Sequence, residues 1–191
     1  MSFKVILITG GARSGKSRYA LQLAQKYGRK VFIATATGCD DEMAARIAKH
    51  RKDRDSSFAT IEEPVMLGNA INCLPSNTNV AVIDCLTVWL GNLMHNAGTQ
   101  KDLPEIDNFI ASLRQPPCDI VVVTNEVGMG IVPDNELARE FRDVAGSLNR
   151  RVAEIASQVI FMVSGLPINL KDANSETGGI IMGNTENPKF S

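Results

Sequence analysis

The sequence predicts an α/β domain with a mainly parallel β-sheet and helices packed on both of its faces. Two observations carry that prediction. Short β-branched runs alternate with longer segments of helical periodicity, the rhythm of strands joined by crossover helices. The first such run, Val5–Thr9, leads into Gly10-Gly11-Ala12-Arg13-Ser14-Gly15-Lys16-Ser17 and then into a helical pattern, so a glycine-rich turn joins strand to helix near the start of the chain.

Strands are expected near residues 4–9, 30–35, 79–84, 119–124 and 158–164. Helices are expected over Ser17–Tyr27, Asp41–Arg54, Val65–Leu74, Leu86–His95, Leu103–Leu113 and Asn135–Ser157. The last is the clearest, because Leu137, Phe141, Val144, Leu148, Val152 and Ile155 recur at steps of three and four behind Pro133-Asp134, a natural helix entry. Its apolar stripe should pack against the sheet. The chain shows no internal repeat and no Pro- or Gly-rich linker, so residues 1–171 are read as one domain. Residues 172–191, rich in Asn, Gly, Ser and Thr, read as an irregular tail.

Composition narrows the function. The 191 residues are 44% hydrophobic and 21% charged, with a net charge of -1, which excludes fibrous and wholly disordered classes. A balanced charge gives no field to gather nucleic acid, and two tyrosines with one tryptophan offer little for base stacking. No nucleic-acid partner is expected. Cys39, Cys73, Cys85 and Cys118 match neither a CxxC redox pair nor a zinc-finger spacing and read as buried thiols of a reducing compartment. No apolar run approaches a membrane span, and the short Val5-Ile6-Leu7-Ile8 run is no signal peptide, so a cytoplasmic location is expected.

The segment Gly10–Ser17 fits GxxxxGK[ST] in a strand–loop–helix setting, the phosphate-binding Walker A pattern. Its glycines let backbone N–H groups turn toward phosphate oxygens, and the helix behind directs its positive end to the same place. Lys16 is expected to reach the β- and γ-phosphates, while the Ser17 hydroxyl completes a Mg²⁺ shell. A metal-side carboxylate should end a neighbouring strand, and Asp84 ends Val80-Ala81-Val82-Ile83; it is equally placed to cap the following helix. A further strand end, Ile120–Val123, delivers Thr124, Asn125 and Glu126 to the same edge, where site chemistry and turn chemistry are both open to them.

The expected helix Asp41–Arg54 begins with acids and ends with cations, which suits the helix dipole. Within it Arg46, His50 and Arg54 lie four residues apart on one face, with Lys49 beside them. Neighbouring cations disfavour the imidazolium, leaving a neutral ring nitrogen able to attack phosphorus. From the helix alone, a solvated basic face with an incidental histidine is the preferred reading. His95, without such a cluster, reads as a helix-end residue.

Gly10–Ser17, Asp40-Asp41-Glu42-Met43 followed by Arg46-Ile47 and His50, Asp84-Cys85-Leu86-Thr87, and Thr124-Asn125-Glu126-Val127-Gly128-Met129-Gly130-Ile131-Val132-Pro133 together resemble the bifunctional adenosylcobinamide kinase / adenosylcobinamide-phosphate guanylyltransferase family of cobalamin biosynthesis. The likeness covers about residues 4–171 and continues through the helix around Arg139, Asp143 and Asn149. It implies a three-layer, RecA-like P-loop fold, a cytoplasmic homotrimer, and two reactions. A nucleoside triphosphate, ATP or GTP, phosphorylates adenosylcobinamide; GTP then gives GMP to adenosylcobinamide phosphate through a guanylyl-histidine, which maps to His50. By the same matching, Gly10, Gly11, Ala12, Arg13, Ser14, Gly15, Lys16 and Ser17 would hold nucleotide phosphates. Thr35, Ala36 and Thr37 would lie along the nucleotide, with Arg51, Lys52, Asp53 and Arg54 following the histidine. Glu62, or its neighbour Glu63, and Asp84 would be the remaining acids of the GTP site. Mg²⁺ is the implied cofactor. A metabolite kinase that never guanylylates His50 is the nearest rival, and a nucleic-acid-driven motor or a GTP switch are more distant ones.

Overall fold

The computed structural model describes residues 3–36, 57–98 and 102–172. In chain order these form β1 (Val5–Gly10), α1 (Lys16–Ala24), β2 (Lys30–Ala34), β3 (Phe58–Glu62), α2 (Leu67–Asn72), β4 (Val80–Asp84), α3 (Leu86–Ala97), α4 (Pro104–Arg114), β5 (Asp119–Val123), α5 (Glu136–Ile155), β6 (Gln158–Val163) and β7 (Leu166–Asp172). The seven strands make one sheet in the order β3-β2-β4-β5-β1-β6-β7. Every neighbouring pair is parallel except β6 and β7, so six strands bring their carboxyl ends to one edge.

Side chains alternate between the two faces of this sheet. One face carries Leu7, Ile33, Ile83, Ile120 and Val122 against Leu67, Trp89, Phe109 and Leu148, the apolar sides of α2, α3, α4 and α5. The other carries Ile8, Val82, Val121 and Val123 against Ala20 and Ala24 of α1. The central strands are buried on both faces, which is why they read as continuous apolar runs in the sequence. Trp89 lies fully buried, its ring centroid 5.1 Å from that of Phe109, and its indole N–H donates to the Val65 carbonyl at 2.7 Å.

All five expected strands are present, and two more join them. β3 is an edge strand with most of its side chains in water, and β7 is an antiparallel edge strand that contains Pro167. Neither has the apolar run that marked the central strands, and an edge position tolerates proline. A two-residue turn, Ser164-Gly165, joins β6 to β7 with both residues at positive φ, the twist that a tight hairpin needs. Asp172, placed in the tail by composition, closes β7; residues 173–191 lie outside the described residues.

The helices also differ in detail from expectation. α1 stops at Ala24 rather than Tyr27, because the Tyr27 phenol is drawn to Asp119 Oδ2 at 2.6 Å. α3 runs two residues past His95, which is exposed in its last turn. α5 starts behind Asn135, whose side chain accepts from the Ala138 N–H. Its stripe is buried from Ala145 to Val152, whereas Leu137 in its first turn is exposed. The expected helix Asp41–Arg54 lies outside the described residues. Among the three described cysteines only Cys118 is buried; Cys73 sits exposed at the end of α2, against the expectation of uniformly buried thiols. Among the described residues, no helix is long and apolar enough to cross a membrane.

Trp89→Phe should lower unfolding stability by about 2 kcal/mol in urea titration, since it leaves a void and strips the Val65 carbonyl of its donor. The Tyr27 phenol is pushed up to about 12, by burial first and then by its bond to Asp119 and the charge of that carboxylate. A folded-state pKa above the unfolded value of 10.0 means the stabilisation is complete below that value and is lost as pH rises through the folded pKa. Between about pH 10 and 12, Tyr27→Phe should therefore show a shallower loss of urea midpoint than the wild type.

Candidate active site

β1 ends at the carboxyl edge of the sheet between β5 and β6, and the chain turns there into α1. Gly10 has φ 145°, and a Cβ at this position would stand 2.4 Å from the Met162 carbonyl oxygen of β6. Only glycine fits so close to another backbone. Gly15 precedes α1 at φ 94°, a left-handed conformation that releases the N–H groups of the first turn toward the concave side of the loop. The loop is braced from the hairpin side by a Gly165 N–H donating to the Ser14 carbonyl at 3.1 Å.

Lys16 opens α1 and is buried. Its Nζ donates to the Gly11 carbonyl at 2.5 Å and reaches the Ser14 hydroxyl at 3.4 Å. The ammonium is thus folded into the concavity of its own loop. Burial lowers its pKa, and the negative charge of Asp84 opposes that shift. Asp84 closes β4 at the same edge, followed by a cis Asp84–Cys85 peptide. Burial pushes the Cys85 thiol up to about 11, reinforced by the Asp84 carboxylate, so this sulfur is a neutral lining group.

The half-buried Ser17 and Asp84 supply one hydroxyl and one carboxylate, hard oxygen donors on the side of the sheet that carries α1. Among the described residues there is no cluster of three or more His, Cys, Asp or Glu side chains able to hold a metal. That sparse donor set fits Mg²⁺, which keeps water and takes phosphate oxygens to complete its shell, and does not fit a dedicated zinc or calcium cage.

Thr35 was expected along a nucleotide, yet all of its polar groups are engaged. Its hydroxyl donates to the Cys85 carbonyl and accepts from the Cys85 N–H, its N–H donates to Asp84 O, and its carbonyl accepts from Asn92. Its role is to tie the exits of β2 and β4 together rather than to present a free hydroxyl. Ala36 follows, half-buried. Glu62 is exposed at the carboxyl end of β3, whereas Glu63 spends one carboxylate oxygen on the N–H groups of Val65 and Met66. Of the two acids, Glu62 is the one that closes an edge strand. Thr37, His50, Arg51, Lys52, Asp53 and Arg54 lie outside the described residues.

Glu126 turns out to do turn chemistry, its carboxylate accepting from the Gly128 N–H at 2.6 Å. Its own N–H donates to the Gly10 carbonyl at 3.0 Å, which locks the β5 exit to the phosphate loop. Thr124 was expected at this edge; what the sequence did not show is its pairing with Thr87 of α3 and Asn149 of α5 in one polar group beside the exit. The available signal was Asn149 itself, a carboxamide at helical spacing from the buried Ala145 and Val152. A second concavity of about 610 Å³ lies where α3 meets the start of α5, lined by Met94, His95, Leu137 and Phe141 among others. It includes no residue of the Gly10–Ser17 loop.

The profile of the family described as cobinamide kinase / cobinamide phosphate guanyltransferase matches residues 6–170. The bifunctional adenosylcobalamin biosynthesis protein CobU of Escherichia coli (strain K12) is 41% identical over 180 residues, covering 87% of this chain and 99% of that protein. CobP of Pseudomonas aeruginosa, of the same description, is 43% identical over 166 residues, covering 86% and 96%. Among solved structures, a Pyrococcus horikoshii OT3 protein superposes with a TM-score of 0.54 at 8% identity, covering 95% of this chain and 93% of that one. A type III secretion system ATPase superposes at 0.51 and 11%, covering 84% and 51%. The two structural likenesses show the fold, a P-loop α/β architecture. With that profile matching residues 6–170 and relatives 41% and 43% identical over most of the chain, the chain belongs to the cobinamide kinase / cobinamide phosphate guanyltransferase family.

Proposed function

We propose that this chain phosphorylates the aminopropanol hydroxyl of adenosylcobinamide with ATP or GTP, and then transfers GMP from GTP to the resulting phosphate. The products of the second step are adenosylcobinamide-GDP and pyrophosphate. What carries this reading is the family match over residues 6–170 together with a strand–loop–helix whose one buried cation, Lys16, points into the loop.

Phosphoryl transfer asks a protein to position reactants and stabilise charge. The N–H groups from Gly11 to Ser17 cradle the phosphates, and Lys16 exchanges the Gly11 carbonyl for a phosphate oxygen as nucleotide enters. The hydroxyl oxygen of the corrinoid side chain attacks the γ-phosphorus and the nucleoside diphosphate leaves. Ser17 and Asp84 would hold Mg²⁺, which would supply neutralising charge to the triphosphate. In the second reaction a neutral His50 nitrogen attacks the α-phosphorus of GTP and pyrophosphate departs; a corrinoid phosphate oxygen then displaces the histidine. His50 lies outside the described residues, and its role rests on the spacing of Arg46, His50 and Arg54 and on the family resemblance. Glu62, Ala36, Thr37 and residues Arg51 to Arg54 complete the GTP-binding side of this proposal, with Thr35 as a strut.

A cytoplasmic homotrimer is the proposed working form. It rests on the family resemblance; between β5 and α5, Met129 at 80%, Ile131 at 97% and Val132 at 61% exposed are apolar side chains that contact with another copy would cover.

Incubation with Mg²⁺ and GTP labelled on the α-phosphate should leave acid-labile, alkali-stable label on denatured wild-type protein and none on His50→Ala; absence of label on the wild type at saturating GTP would reduce the second reaction to a family resemblance. Lys16→Ala should slow adenosylcobinamide phosphorylation about 10²-fold or more, followed by transfer of γ-label to the corrinoid, because it removes the cation nearest the transferring group. A wild-type rate in that variant would place the donor elsewhere.

A further inference from the structure

The exit of β5 continues past its last assigned residue. Thr124 N–H donates to Ile8 O and Glu126 N–H to Gly10 O, both at 3.0 Å, so the parallel ladder with β1 runs on to the phosphate loop. Side-chain alternation therefore holds through Glu126. Val123 belongs to the face that carries α1, and Val122 to the face that carries α3 and α5. Thr124 follows Val122, as its bonds to Thr87 of α3 and Asn149 of α5 demonstrate. Asn125 consequently falls on the α1 face, two residues beyond Val123, whose register partner on β4 is Asp84. Lys16 opens α1 on that same face.

The backbone of Asn125 is held by side chains instead of by a second strand. Its N–H donates to Thr87 Oγ1 at 2.8 Å, and its carbonyl accepts from Asn149 Nδ2 at 3.1 Å. The remaining Asn149 oxygen accepts from the Thr124 hydroxyl at 2.8 Å. A carboxamide on a buried helix stripe is costly unless satisfied, and here both ends of it are spent on fixing one peptide at the edge of the phosphate loop.

We propose that Asn125 contacts the terminal phosphoryl group of the nucleotide seated on Gly10–Ser17, and that Thr87, Thr124 and Asn149 are positioning residues that hold it there. The inference rests on the kinase reading given above. Asn125 Nδ2 donates to a γ-phosphoryl oxygen and Oδ1 accepts from the attacking hydroxyl. A carboxamide takes up no proton in this pH range, so it orients both reactants: the hydroxyl oxygen–phosphorus bond forms, the bridging oxygen–phosphorus bond to the diphosphate breaks, and the hydroxyl proton is released to water.

The test compares wild type, Asn125→Ala, Thr124→Val and Thr124→Ser in the full chain with Mg²⁺. It measures the affinity for ATP against ADP and for GTP against GDP, and kcat and KM for adenosylcobinamide phosphorylation. Asn125→Ala removes only the carboxamide and leaves the backbone bonds to Thr87 and Asn149 available. It should lower kcat about 10²-fold with KM for the corrinoid nearly unchanged, and cut the preference for triphosphate over diphosphate about tenfold. Thr124→Val should shift both readouts in the same direction, and Thr124→Ser, which keeps the hydroxyl, should restore them. Wild-type kcat and wild-type triphosphate preference in Asn125→Ala would overturn the proposal. If the wild type itself transfers no phosphate to the corrinoid, the kinase reading fails, and the triphosphate preference alone decides: lost in Asn125→Ala it upholds the contact, retained it removes it.

Discussion

The parallel pairing of β1 with β5 on one side and β6 on the other is the constraint on which the site depends. Parallel neighbours run in register with the same polarity, so their carboxyl ends reach one edge together, and six of the seven strands obey this. Burial on both faces makes that register hard to shift, because a slip by one residue would exchange every side chain between the two apolar layers. The phosphate loop inherits its position from this ladder, which extends past the regular strands to join Gly10 with Glu126.

Electrostatics at the edge follow from the same arrangement. A lysine at the start of a helix lies where the backbone already presents positive partial charge, and it is further desolvated by the packing of α1 on the sheet. The Gly11 carbonyl and the Asp84 carboxylate offset part of that unfavourable environment. An arriving polyphosphate offers Lys16 and the loop N–H groups a stronger partner than the protein provides for itself.

The central strands were legible because burial on two faces demands uninterrupted apolar runs, and Val80–Asp84 and Asp119–Val123 fall within one residue of where those runs placed them. The edge strands were not, since β3 keeps most of its side chains in water and β7 carries a proline. At the site, the glycine spacing around Lys16 and the acid ending β4 could be read directly, because each is set by local backbone geometry. Thr35 shows what the sequence leaves open: a polar residue at a strand exit looks alike whether its hydroxyl faces a ligand or, as here, bonds a neighbouring peptide. Asn125 and Asn149 are 24 residues apart in the chain, and periodicity alone carries no information about which distant carboxamide closes on which peptide.

The β6–β7 turn that braces Ser14 through Gly165 has a consequence for how the molecule comes into being. The Gly10–Ser17 loop is synthesised before either flank of its own strand, since β1 lies between β5 and β6 and the brace on the loop comes from residue 165. The loop is thus complete only after β6 and β7 have followed, and until β5 is made β1 is an apolar strand without neighbours. Long-range closure of this kind slows folding and prolongs exposure of such a strand. In a nascent chain the nucleotide loop is therefore a late acquisition, completed only when the C-terminal hairpin docks.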